Sequence, residues 1–256
     1  MPFGEKADLR GRTFASIYSP VNARYQLASD QPFATLRGEF MGNFGGNGQE
    51  GSRANVEQRG NSFAADISVP VWTSQLYVGD WWRQGASPLQ VSVTAEGTSW
   101  SITVDNRLET KLSNVSLAIE NYLLPLGDVP AKQSKTFKVA RNSGGSLGAF
   151  VQTYGGQFEQ VFAQRQHVFG NAGSGQLQNI PQAAIAASFV SQLPGHNNGN
   201  GGFITPPGFD LSPLVERGDA VLLAWASDYT AVKPLNRFTA RRGHRDSLLR
   251  VAVSPQ

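Results

Sequence analysis

Between Phe63 and Val71 an apolar residue falls on every second position, at Phe63, Ala65, Ile67, Val69 and Val71, with mostly polar neighbours. A period of two sends alternate side chains to opposite faces, so the pattern predicts a strand with one face in a core. Val91 and Val93 precede the turn AEGT and Trp100, Ile102 and Val104 follow it, which predicts a hairpin with one apolar face. Alternation continues at Leu117 and Ile119, YLLPL reads as a short strand, Gly127-Asp128 and PAKQS as turns, and Phe137 with Val139 as a closing strand. Upstream, RTFASIYSP and NARYQL read as two strands around a Ser19-Pro20 corner, and FATLRGEFMGNF as a third. The Gly- and Asn-rich stretch GNFGGNGQEGSRANVEQRGN can bury little and is expected to be a loop or exposed hairpin tip.

Beyond Val139 the texture changes. AFVQTYGGQFEQVFAQRQHVF predicts a helix after its Gly155-Gly156 interruption, and IPQAAIAASFVSQL, with Pro181 near its start, predicts another. After PGHNNGNGGF the runs AVLLAWA and SLLRVAV return the chain to strands. The fold class expected is mainly β: an antiparallel, immunoglobulin-like β-sandwich with a small helical insertion or an α+β second part. A boundary near Arg141 divides residues 1–140, the β-sandwich, from residues 141–256, whose closing strands can equally complete the first sheet and make one domain.

The segment VDNRLETKLSNVSLAIENYLLPLGDVPAKQSKTFKV resembles β-sandwich domains found outside the membrane in poorly characterised bacterial membrane proteins. Asn106, Leu112, Asn114, Val115, Leu117, Leu126, Gly127, Val129, Lys132 and Thr136 carry the likeness. ASIYSPVNARY, GDAVLLAWASDYT and SLLRVAVS are similar to the same kind of protein. Lys132 or Gln133 stands where a Gly is usual, which leaves the turn type open. The resemblance implies an extracytoplasmic domain tethered by flanking transmembrane segments outside this sequence, and it carries over no catalytic residues.

Composition narrows the chemistry. A chain of 256 residues can bury a core without staples, and the absence of cysteine removes disulfides, thiolate–zinc sites, iron–sulfur clusters and thiol nucleophiles. The net charge of +3 falls short of the dense basic stripe of a nucleic-acid binder. Basic residues do gather in NRFTARRGHRDSLLR, where Arg237, Arg241, Arg242, Arg245 and Arg250 form either a solvated loop or a patch for an anionic lipid or polyanion. No apolar window of 18 residues occurs, and the first thirty residues lack the order of a signal peptide.

Candidate catalytic groups are few. GGSLG matches the G-x-S-x-G elbow of serine hydrolases at Gly144, Ser146 and Gly148, with Asp228 and His244 following in the usual order. The antiparallel hairpins before Ser146 speak against the parallel sheet that such an elbow needs, and a flexible Gly/Ser linker is the plainer reading. His167, His196 and His244 have no spacing that would place two imidazoles on one metal, the acidic residues form no calcium loop, and no cofactor is implied. GNFGGNGQEG lacks the following Lys and helix of a phosphate loop.

The aromatic run VWTSQLYVGDWW is the better candidate. Trp72, Tyr77, Trp81 and Trp82 lie within it, and adjacent Trp81 and Trp82 cannot both enter one core from a strand. Tyr77, Trp81 and Trp82 are therefore the candidate binding residues, with an exposed indole stacking on a sugar or entering a membrane interface. The structural alternative puts one indole in the core and the other over a sheet edge. These observations lead to the expectation of a non-catalytic recognition or scaffold module of a membrane-anchored bacterial envelope protein, contacting an envelope protein or polysaccharide. A carbohydrate-binding module and a serine hydrolase centred on Ser146 are the alternatives.

Overall fold

The computed structural model describes residues 7–38, 54–60, 62–164, 180–192, 208–227, 229, 233–234 and 245–256. The described elements are mainly β-strands, and every described strand pair is antiparallel. The chain divides into two units, Met1–Ser87 with Thr230–Gly243 and Pro88–Tyr229 with His244–Gln256.

The first unit contains β1 (Ala7–Ser19), β2 (Ala23–Ser29), β3 (Thr35–Gly38), β4 (Ala54–Arg59), β5 (Ser62–Val69) and β6 (Thr73–Gly85). One sheet has the order β1-β6-β3, and β2, β5 and β4 lie in the other. Phe63, Ala65, Ile67 and Val69 of β5 are buried as their alternation predicts, and they share a core with Leu27, Leu36 and Tyr77 from neighbouring strands. The alternation stops short of Val71, which is exposed. Pro70 has no N–H to give a ladder, so β5 ends at Val69 and Val71 enters the turn. β1 and β6 pair over their full length, and the Arg12 guanidinium grips Asp80 across them at 2.6 and 3.1 Å.

The second unit contains β7 (Leu89–Glu96), β8 (Ser99–Asn106), β9 (Leu112–Ile119), β10 (Tyr122–Val129), β11 (Ser134–Ala140), β12 (Gly145–Ser146), α1 (Leu147–Gln164), α2 (Ile180–Ala186), a 3-10 turn at Ala187–Gln192, α3 (Ser212–Glu216), β13 (Ala220–Ser227) and β15 (Asp246–Val253). Between the last two, β14 (Lys233–Pro234) belongs to the first unit and pairs with Leu27 and Ala28 of β2. A sheet of order β11-β8-β7 and a sheet of order β12-β10-β9-β13-β15 share one core. Val93, Trp100, Ile102 and Val104 come to it from the first sheet, and Leu117, Ile119, Leu124, Leu222 and Ala224 from the second. Gln256 joins the two sheets at one margin, its N–H donating to Val93 O and its carbonyl accepting from Ala95 N–H, both at 2.9 Å.

The larger sheet is covered on its other face as well. Ala118, Leu123, Val221 and Leu223 pack beneath Leu147 and Val151 of α1, Ile185 of α2, Phe189 and Val215. A strand buried on both faces needs apolar residues at every position, which is why β13 reads AVLLAWA without alternation. The boundary expected near Arg141 falls inside this unit, because β12 turns back onto β10 and leads directly into α1. α1 runs from Leu147 through Gly155 and Gly156 instead of beginning after them. Leu147 and Val151, one turn apart and fully buried on the sheet, supply packing that offsets the helix cost of two glycines.

Two turns account for particular residues of the segment from Val104 to Val139. Asn106 is fully buried, with Nδ2 donating to Thr110 O and Pro130 O at 2.9 Å each and Oδ1 accepting from Leu108 N–H at 3.0 Å. It ties the β8–β9 connection to the β10–β11 turn and leaves no polar atom of its amide wasted. Of Lys132 and Gln133, the two positions at which a Gly is expected, Lys132 takes the left-handed conformation at φ 55°.

Candidate recognition surface

The candidate aromatic residues separate by environment. Tyr77 is fully buried in the first unit's core, and burial pushes its phenol pKa up to about 12, so it presents nothing to a ligand. Trp81 stands opposite Gly11 in the β1–β6 register and packs against the same core. Its indole occupies the space a side chain at Gly11 would fill, since a Cβ there would lie 2.1 Å from Trp81 Nε1. The Arg83 guanidinium lies 5.9 Å from the Trp81 ring centroid. Trp82 is partly buried and meets Phe33, with ring centroids 5.5 Å apart. Of the three residues expected to bind, Tyr77 is buried, while Trp81 and Trp82 remain partly accessible.

The exposed indole is Trp72, 68% accessible, and it lies in the turn before β6 instead of on the strand. Val71 beside it and Val21, in the connection between β1 and β2, are 42% and 58% accessible. The two connections are locked to each other. Trp72 N–H donates to Ser19 O at 2.8 Å, and Val71 N–H donates to Asn22 Oδ1 at 2.7 Å. Fully buried Ser19 donates its hydroxyl to Val21 O at 2.6 Å, while Tyr25 OH donates to that hydroxyl at 2.8 Å. Tyr18 and Trp72 stand with ring centroids 6.4 Å apart.

Trp72 also has φ 57°, the left-handed region that costs an L-residue roughly 1–2 kcal/mol. An indole held exposed in a strained backbone is weak packing and costly geometry. Such outliers concentrate where the side chain serves a contact. Sequence reasoning named Trp72 only as one of the aromatic run. The signal that separates it was Pro70, which ends β5 and throws the next two residues into a turn.

Among the other candidates, Ser146 is exposed at the end of β12, and its Oγ accepts from Ala149 N–H at 3.4 Å, as an N-cap does for α1. The strand before it pairs antiparallel with β10, unlike the parallel strand of a hydrolase elbow. Gly144 has a packing reason, since a Cβ there would lie 2.5 Å from Leu123 O. Asp228, His167, His196 and His244 lie outside the described residues, as do Arg237, Arg241 and Arg242 of the basic cluster. Arg245 is exposed, whereas Arg250 turns inward: Nη1 donates to Phe209 O at 2.9 Å, the guanidinium stacks 4.4 Å from the Phe209 centroid, and burial lowers its pKa. Among the described residues no three His, Asp or Glu side chains gather to hold a metal ion, and no helix is long and apolar enough to cross a membrane.

One family model overlaps most of the second unit, two antiparallel sheets with a helical cover on one. Residues 88–237 match the model of a domain of unknown function, DUF8725. The chain belongs to that family. No curated protein and no solved structure matches it.

Proposed function

We propose that the chain is a non-catalytic recognition module of a membrane-anchored bacterial envelope protein, working on the extracytoplasmic side. Its second unit is an immunoglobulin-like sandwich that serves as scaffold, and the paired turns carrying Val21, Val71 and Trp72 in the first unit are its contact element. The observation that carries this reading is Trp72, the most accessible large apolar residue among the described residues, held in a left-handed conformation by its own N–H bond to Ser19 O and that of Val71 to Asn22 Oδ1. A pre-ordered aromatic tip loses little conformational freedom on binding, which is the economy of a recognition surface. Support for the envelope comes from the resemblance of the Val104–Val139 segment to extracytoplasmic β-sandwich domains.

The test is sedimentation of the full chain with washed bacterial envelopes, beside a Trp72→Ser variant of equal circular dichroism. Retention of the first and loss of the second is expected, and equal behaviour of the two refutes the contact element. Protease digestion of intact spheroplasts of the native host tests the location: cleavage from outside is expected, and protection until lysis contradicts it.

A further inference from the structure

Resting on the reading of Trp72 as a contact element, we infer that the tip's partner is the surface of a lipid bilayer, into whose interface Val21, Val71 and Trp72 insert. Three observations point there. The first is the backbone. A group entering an apolar phase must bring its hydrogen-bond partners with it, because an unpaired N–H or C=O costs several kcal/mol in that medium.

At this tip the partners are built in. Pro20 and Pro70 have no N–H, and the N–H groups of Val71 and Trp72 are held by Asn22 Oδ1 and Ser19 O. Thr73 N–H donates to Pro70 O at 3.3 Å, and Val21 N–H reaches Ser19 Oγ at 3.4 Å. The carbonyls of Val21 and Pro70 accept from the hydroxyls of Ser19 and Thr73 at 2.6 and 2.8 Å. Four N–H groups and two carbonyls of the tip are thus paired within the protein, which lowers the cost of moving this backbone out of water.

The second observation is charge. Residues 13–25 and 67–79, which include both turns and the strand ends that carry them, contain no Asp or Glu and a single formal charge, Arg24. The nearest acidic residues along these strands are Asp66 and Asp80. A neutral tip with one cation behind it is complementary to an anionic headgroup layer over hydrocarbon. The third observation is the aromatic pair: Trp72 and Tyr18 have the amphipathic rings that settle at headgroup depth.

The experiment uses the full chain with vesicles of phosphatidylglycerol and phosphatidylethanolamine, vesicles of phosphatidylcholine alone, and purified peptidoglycan sacculi. Binding to vesicles with a blue shift of tryptophan emission, and quenching by brominated acyl chains, is expected for the wild type. Trp72→Ser should lose the shift and weaken binding at least about tenfold. Val71→Asp, an exposed change that spares the indole, should weaken it too. Arg24→Gln should reduce binding to the anionic vesicles several-fold and leave the phosphatidylcholine result alone.

If neither vesicle binds, or if the two tip variants bind as the wild type does, the lipid assignment is overturned. Envelope binding that depends on Trp72 but is reproduced by sacculi, or by protein-containing envelopes and by no vesicle, overturns the lipid partner and leaves the contact element standing. Loss of Trp72-dependent envelope binding altogether removes both.

Discussion

Replacing Trp72 by Gly and by Ala separates what the backbone costs from what the indole contributes. The side chain is 68% accessible, so about a third of its roughly 250 Å² is covered, which amounts to some 80 Å². At about 25 cal/mol per Å² that cover is worth no more than about 2 kcal/mol, an upper bound because the unfolded chain also buries some of it. Both variants lose this amount. Only the Gly variant relieves the backbone at φ 57°, a relief of about 1 kcal/mol net of glycine's greater freedom in the unfolded chain. Trp72→Ala should therefore be about 2 kcal/mol less stable than the wild type, and Trp72→Gly about 1 kcal/mol less stable. Urea unfolding followed by far-ultraviolet circular dichroism, with emission of the remaining tryptophans as a second probe, reads the difference. If Ala equals or exceeds Gly at this position, the strain is absent and the inference drawn from it fails.

Three other changes probe the framework. Asn106→Ala strands Leu108 N–H, Thr110 O and Pro130 O, and should cost about 2–4 kcal/mol in a denaturant melt. Gly144→Ala should cost roughly 1–3 kcal/mol, because its Cβ would meet the Leu123 carbonyl at 2.5 Å, whereas Gly145→Ala, with nothing within 4 Å, should be close to neutral by the same melt. Tyr77 ionises near pH 10 when unfolded and at about 12 when folded. Above pH 10 the unfolded state therefore holds fewer protons, and stability should fall as pH rises toward 12, by up to roughly 3 kcal/mol. Phenolate absorbance should show one tyrosine that titrates only as the protein unfolds, and a Tyr77→Phe variant should lose that component.

Where one face of a strand meets a core and the other meets solvent, sequence and structure agree closely. Phe63 to Val69 and Trp100 to Val104 alternate because only one side is covered, so the period of two survives in the letters. β13 is equally buried but carries no period, since helices cover its second face, and its place in the sheet beside β9 depends on residues a hundred positions away. α1 was harder still. Two adjacent glycines argue against a helix, and the packing of Leu147 and Val151 that overrides them belongs to the folded sheet.

The contact surface was legible only as an aromatic-rich neighbourhood. Alternation points Val71 inward and strand register points one of the adjacent Trp81 and Trp82 outward, and both inferences take the strand to be continuous. Pro70 ends β5 and puts Val71 and Trp72 in the turn, while on the unbroken β6 the bare Gly11 and the ring of Phe33 cover Trp81 and Trp82 in part. The bare Gly11 opposite Trp81 likewise becomes meaningful only once the β1–β6 register is known. Nothing in local propensity favours a left-handed Trp, and its conformation follows from the bonds to Ser19 and Asn22 that close the two turns together.

The most direct measurement is envelope binding by the Trp72→Gly variant beside the wild type, at a temperature where both are fully folded. A variant that keeps its fold and its Tyr77 burial but no longer sediments with envelopes makes Trp72 a contact residue, its indole needed for binding beyond its share in stability. A variant that binds as tightly as the wild type contradicts the assignment of this tip as the recognition surface.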